Sequence, residues 1–137
     1  MFKKLFVYAL SFILFAAFTF FNATPVFFNY TDRLELYIDG GGSAGVIVSA
    51  DKKDYPFIKG VSGESFKADK DTFDLDNFLN DFSAKIILTE EIAEGVSYYA
   101  FSNKIKYRSS VRGKTVNLHI FVGETVTVGS PLIFGSF

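Results

Sequence analysis

The chain has 137 residues, 49% of them hydrophobic, with 14 basic against 15 acidic side chains and no cysteine. That length supports one domain with a modest core, and the near-neutral charge argues against a dedicated nucleic-acid binder, whose affinity rests on positive charge meeting phosphate. Without cysteine there is no disulfide, thiolate chemistry, cysteine metal site or lipoprotein anchor, so the fold rests on packing alone.

Met1-Phe2-Lys3-Lys4 places two positive charges directly before an uncharged apolar and aromatic run from Leu5 to Phe21. A basic n-region followed by an apolar h-region is the pattern of a secretory signal. As a helix the run spans roughly 25 Å, a little short of the roughly 30 Å hydrocarbon layer. Cleavage after Ala23 is the first candidate and after Thr19 the second; neither places small residues at every preferred position. Left uncut, Val26-Phe27-Phe28 extends the run into a signal anchor with its amino end inside. A helix apolar on all sides needs a larger core to hide in than this chain builds. The expected organisation is residues 1–23 as signal peptide or signal anchor, 24–32 as a short linker, and 33–137 as a single α+β domain. Removing residues 1–23 takes Lys3 and Lys4 away and leaves a net charge of about −3, ordinary for a soluble surface.

Within that domain, Arg33 to Asp39 alternates, with Leu34, Leu36 and Ile38 on one face. Gly40-Gly41-Gly42-Ser43 supplies a permissive turn into a returning strand, Ala44 to Ala50. Asp51 to Asp54 reads as a turn, and Pro56 to Phe66 as a short or edge strand broken by Gly60 and Gly63. Leu75, Phe78, Leu79 and Phe82 then fall at helical spacing, with Asp71 or Asp74 as the cap and Asp76, Asn77, Asn80 and Asp81 toward water. Strands are expected at Lys85 to Thr89, Val96 to Phe101, Lys114 to Val122 and Thr125 to Val128, with a turn or bulged segment at Glu90 to Gly95. In the Lys114 to Val122 strand, Val116, Leu118, Ile120 and Val122 face one way; Asn117, His119 and Phe121 face the other. The fold class is therefore α+β, an antiparallel sheet of about five to seven strands with one main helix packed on one face.

Lys104, Lys106, Arg108, Arg112 and Lys114 form a basic run with no acid between Asn103 and Val122. If extended, Lys104, Lys106 and Arg108 share one face, and Arg112-Gly113-Lys114 makes a hairpin tip. Such a strip suits an anionic envelope polymer, lipid headgroups or an acidic protein; a lysine-guarded edge strand is the plainer reading. His119, the only histidine, stands mid-strand with no cysteine in the chain and no serine in a recognisable elbow or SxxK arrangement, and is expected to be structural or partly exposed. Asp69, Asp71, Asp74 and Asp76 miss the calcium-loop spacing, since Phe73 and Asp74 occupy the fifth and sixth positions, and read as capping and solvated acids. Gly40 to Gly45 lacks phosphate-loop spacing, and Glu90 with Glu91 has no scaffold for a cleft. No catalytic residue, metal ligand or cofactor is expected.

Gly113-Lys114-Thr115-Val116-Asn117-Leu118-His119-Ile120 and Thr127-Val128-Gly129-Ser130-Pro131-Leu132-Ile133 resemble the carboxyl-terminal pattern of the YwmB-like proteins of Gram-positive bacteria. The resemblance implies export and a domain like the TATA-box-binding fold, a curved antiparallel sheet backed by helices. It implies no catalytic residues and no DNA binding. The expected function is an exported, non-enzymatic binding or structural domain at the cell envelope, secreted or membrane-anchored. One alternative is a small envelope hydrolase or metal-dependent enzyme using the Asp69 to Asp76 carboxylates. Another is a self-assembling subunit packing through Val26-Phe27-Phe28, Phe134 and Phe137.

Overall fold

The computed structural model describes residues 1–22, 24–39 and 45–135. The chain is helical from Phe2 to Asn22 (α1), and every side chain from Met1 to Ala16 is exposed. Phe12 is 73% exposed and Ile13 61%, so the domain core closes without them. Among the described residues no helix is long and apolar enough to cross a membrane.

Seven strands form one sheet: β1 (Arg33–Ile38), β2 (Val46–Asp51), β3 (Val61–Ala68), β4 (Lys85–Ile92), β5 (Gly95–Phe101), β8 (Leu118–Val122) and β9 (Val126–Ser130). Their order is β2-β1-β3-β9-β8-β5-β4, antiparallel throughout. Two short strands, β6 (Ser109–Val111) and β7 (Lys114–Val116), make a separate ribbon. The helix α2 (Leu75–Asp81) packs on one face, capped by Asp74, whose carboxylate accepts the Asn77 N–H at 3.0 Å. Its stripe is the expected one: Phe78 and Leu79 are buried, Leu75 and Phe82 partly so, and Asp76, Asn77, Asn80 and Asp81 face water. The architecture is α+β, as the alternation and the single helical stripe indicated.

Three local expectations are corrected. Residues 24–32 are no linker: Phe27 is 0% exposed and sits among Phe66, Phe78 and Phe82, and Tyr30 stacks on Phe66 and Phe82. The apolar Val26-Phe27 pair continues α1 in composition but the domain in space. The second correction concerns β3, which lies inside the sheet between β1 and β9 and not at an edge. Gly63 reads as a break, yet it is there for close approach, because a Cβ would stand 2.6 Å from the Phe134 ring. Third, the expected strand Lys114 to Val122 is divided at Asn117, and both faces of its second half are buried, His119 and Phe121 each at 4% exposure. The glycine turn Gly40 to Ser43, the cut after Ala23, and Phe137 lie outside the described residues.

The second face of the sheet is sealed by the chain's own end. Beyond β9 the backbone folds back, bringing Leu132 and Ile133 against Gly129 and stacking Phe134 on Tyr37 at 4.2 Å. Between Lys52 and Phe57 a 3₁₀ helix, capped by the Asp51 carboxylate, replaces the expected turn and buries Tyr55.

Because Phe27 fills the centre of the aromatic cluster, Phe27→Ala is expected to cost about 3–5 kcal/mol. Its neighbour Phe28 is 40% exposed, and Phe28→Ala is expected to cost less than about 1 kcal/mol. Urea unfolding of both variants measures the contrast; equal losses would return residues 24–32 to linker status.

Candidate functional site

The basic run begins where Asn117 anchors the chain. Its buried carboxamide accepts the Ser102 N–H at 2.8 Å and donates to the carbonyls of Ser102 at 2.6 Å and Ile105 at 3.3 Å. These bonds hold residues 102–105 in a turn, so the segment from Lys104 to Arg108 is not the extended strand expected. The exposure pattern survives without the strand: Lys104, Lys106 and Arg108 face solvent while Ile105 is buried and Tyr107 half-buried.

The five cations do not line up as a single strip. Lys106 turns toward the 3₁₀ helix, donating to the Tyr55 hydroxyl at 3.2 Å and lying over the Tyr107 ring at 5.1 Å. Arg108 covers the Phe101 ring at 4.9 Å and donates to the carbonyls of Tyr107 and Ile105. Arg112 sits at the tip of the β6–β7 hairpin as expected, with positive φ at both Arg112 and Gly113, and pairs with Glu90 at 3.4 Å. Among the described residues, Lys104, Lys106, Arg108 and Lys114 form no salt bridge.

Behind Lys106 lies a group that the sequence reading passed over. Glu64, on the interior strand β3, is 1% exposed. Its carboxylate accepts the Phe27 N–H at 2.8 Å and a second bond from the Val26 backbone. Lys106 donates to Tyr55, Tyr55 lies 2.8 Å from the Tyr107 hydroxyl, and Tyr107 donates to Glu64 at 3.5 Å. Burial pushes the Glu64 pKa up to about 7, against the pull of the two backbone N–H groups, Lys106 and Tyr107. Burial likewise raises the Tyr107 hydroxyl, reinforced by its bond to Tyr55 and the Glu64 charge. The signal for Glu64 was an acid in phase with the inward Phe66 and Ala68.

The opposite sheet face holds a second buried polar group. His119 stacks on Tyr99 at 4.3 Å, and its Nδ1 accepts the Ile133 N–H at 3.3 Å. The proton therefore sits on Nε2, which donates to Ser97 Oγ at 3.1 Å. A general base for that serine would need a lone pair at Nε2, so the pair as arranged fixes the carboxyl-terminal segment and does not activate a nucleophile. Burial lowers the His119 pKa to about 4 and keeps the ring neutral.

The acids near α2 are occupied locally. Asp69 accepts the Asp71 N–H at 2.8 Å, Asp74 caps the helix, and Asp71 and Asp76 are exposed. Among the described residues no group of three histidine or acidic side chains converges as a metal site. Asp81 instead accepts the Tyr30 hydroxyl at 2.5 Å, and burial, aided by that carboxylate, pushes Tyr30 up to about 12. Glu90 is committed to Arg112, and Gly40 to Ala44 lie outside the described residues.

No family model, curated protein or solved structure matches this chain.

Glu64 and His119 tilt stability in opposite directions with pH. The folded protein holds the Glu64 proton up to about pH 7 against 4.5 for the free group, so this residue's stabilisation falls as pH rises between those values. For His119 the unfolded chain binds the proton first, so stability rises with pH from about 4 to 6.5. Each is worth about 3 kcal/mol and they largely offset. Urea unfolding across pH 4–7 is expected to give Glu64→Gln a stability that climbs with pH and His119→Gln one that declines. Two variants that both follow the wild-type profile would contradict the assignment.

Proposed function

We propose that this chain is an exported, non-enzymatic binding domain acting at the cell envelope, delivered by residues 1–23 and docking through exposed cations. The observation that carries this reading is the state of α1, whose apolar side chains stand in solvent from Phe2 to Phe15 while the sheet completes its core with Phe27. Exposed apolar surface of that extent is unfavourable in water and is relieved by lipid or by a translocation channel. The basic flank Lys3-Lys4 orients the helix with its amino end inside. The leader is then cut near Ala23 or Thr19, or is retained as an anchor.

Four cations without salt-bridge partners among the described residues, Lys104, Lys106, Arg108 and Lys114, supply the docking charge. Their complement is dense negative charge, as on an anionic envelope polymer, lipid headgroups or an acidic protein surface. The likeness of the last third to the YwmB-like exported proteins points the same way. Lys106 and Arg108 also brace the fold through Tyr55 and Phe101, so Lys104 and Lys114 give the cleaner test.

The double variant Lys104→Glu/Lys114→Glu is expected to keep its unfolding midpoint and to lose retention on anionic envelope material, most at low salt. Unchanged retention would remove the cations from the function. Intact-mass measurement of the cell-derived protein, with fractionation, is expected to place it outside the cytoplasm; a soluble full-length product inside the cell would overturn export.

A further inference from the structure

The two ends of the sheet are built differently. β4 starts with Lys85, bulges between Ile86 and Leu88, and carries Glu90 and Glu91, the first of them paired with Arg112. Charges and bulges are what keep an edge strand from pairing with another chain. β2 has no bulge, and no charge before its last residue, Asp51. It runs Val46-Ile47-Val48-Ser49-Ala50 without charge, proline or bulge and keeps regular register with β1 along its whole length. Val46 is 59% exposed, Ile47 43% and Val48 38%. Among the described residues its outer row of backbone groups has no strand partner, and such a row is completed by another strand.

We infer that β2 pairs with β2 of a second copy of this chain, antiparallel about a two-fold axis through Val48. Symmetry sets the register. Opposite residues in an antiparallel ladder alternate between hydrogen-bonded and non-hydrogen-bonded pairs. A two-fold axis must preserve that alternation, so it passes through a residue that faces its own copy. With Val48 on the axis, Val46 faces Ala50 and Ile47 faces Ser49, so every strand residue from Val46 to Ala50 meets an uncharged partner. Centring on Ser49 would set Ile47 opposite Asp51 and Val46 opposite Lys52. Centring on Ile47 would carry Ala50 and Asp51 past the first residue of the partner strand.

The segment is thus complementary to itself in one register. Pairing there closes both free edges in an isologous dimer with a continuous sheet. So short a strand pair buries much less than the roughly 1,600 Å² of a standard interface, so the dimer is weak and dependent on concentration.

The chain contains no cysteine, so single cysteine substitutions report without background. Full-length protein carrying Val48→Cys, held in detergent micelles under mild oxidation, is expected to give a covalent homodimer by intact mass. Facing strand residues lie about 4.5–5.5 Å apart between Cα atoms, within disulfide reach. Ile87→Cys, on the guarded edge, is expected to stay monomeric. Val48→Lys sets two ammonium groups opposite each other and is expected to weaken association about tenfold in analytical ultracentrifugation. Equal cross-linking of Val48→Cys and Ile87→Cys would overturn the assignment, as would absence of any dimer. Association unaffected by Val48→Lys would move the contact to α1 and also overturn it. Preferential cross-linking of Val48→Cys to Ile87→Cys in a mixture would replace the closed dimer with an open chain of copies.

Discussion

A carboxyl group shielded from water holds the amino-terminal part of this domain in place. Glu64 projects from the interior strand β3 and receives backbone N–H groups from Val26 and Phe27. A buried carboxylic group left without partners is costly, and so are buried N–H groups; here each meets the need of the other. The clasp sets Phe27 against Phe66, Phe78 and Phe82, which is the contact that seals α2 onto the sheet. It also draws in the hydroxyls of Tyr107 and Tyr55 and, at the surface, the Lys106 ammonium. The same interaction therefore fixes where the domain begins and how one of its exposed cations is presented.

The other sheet face is closed by a separate device. Glycines at 63 and 129 leave room for Phe134 and for Leu132 with Ile133, and His119 accepts the Ile133 N–H. One face thus depends on residues that follow α1 and the other on residues beyond β9. Each closure buries an ionisable group, and between about pH 4 and 7 both groups are neutral. Glu64 and His119 displace their proton equilibria in opposite directions, so their contributions to stability offset across the mildly acidic range.

The parts legible in the sequence were those set by local periodicity. The stripe Leu75, Phe78, Leu79 and Phe82 and the alternation of Leu34 with Leu36 each encode which side is buried. What escaped depends on contacts distant along the chain. Gly63 looks like a break until Phe134 is laid across it. Asn117 looks like one more outward strand position, yet its side chain leaves the ladder to hold Ser102 and Ile105, which bends the basic run out of a strand. Val26 and Phe27 share the composition of the preceding apolar run, so hydropathy alone does not mark them as part of the domain, and they read as linker; only the acid at 64, in phase with Phe66, hints at a polar partner inside. The cations of the basic run are exposed, as the alternation indicated, but their division among the 3₁₀ helix, β5 and β4 is a matter of tertiary packing.

The proposed function and the fold meet at one boundary: the proposal gives residues up to Asn22 to delivery, and the packing of Phe27 gives the residues from Pro25 to the domain. Comparing the unfolding midpoints of two shortened chains, one beginning at Thr24 and one at Asn29, tests that boundary most directly. The account predicts that the first unfolds cooperatively with the stability of the full-length chain and that the second, lacking Val26 and Phe27, does not reach a stable fold. A Thr24 chain that fails to fold, or an Asn29 chain as stable as the whole, would contradict it.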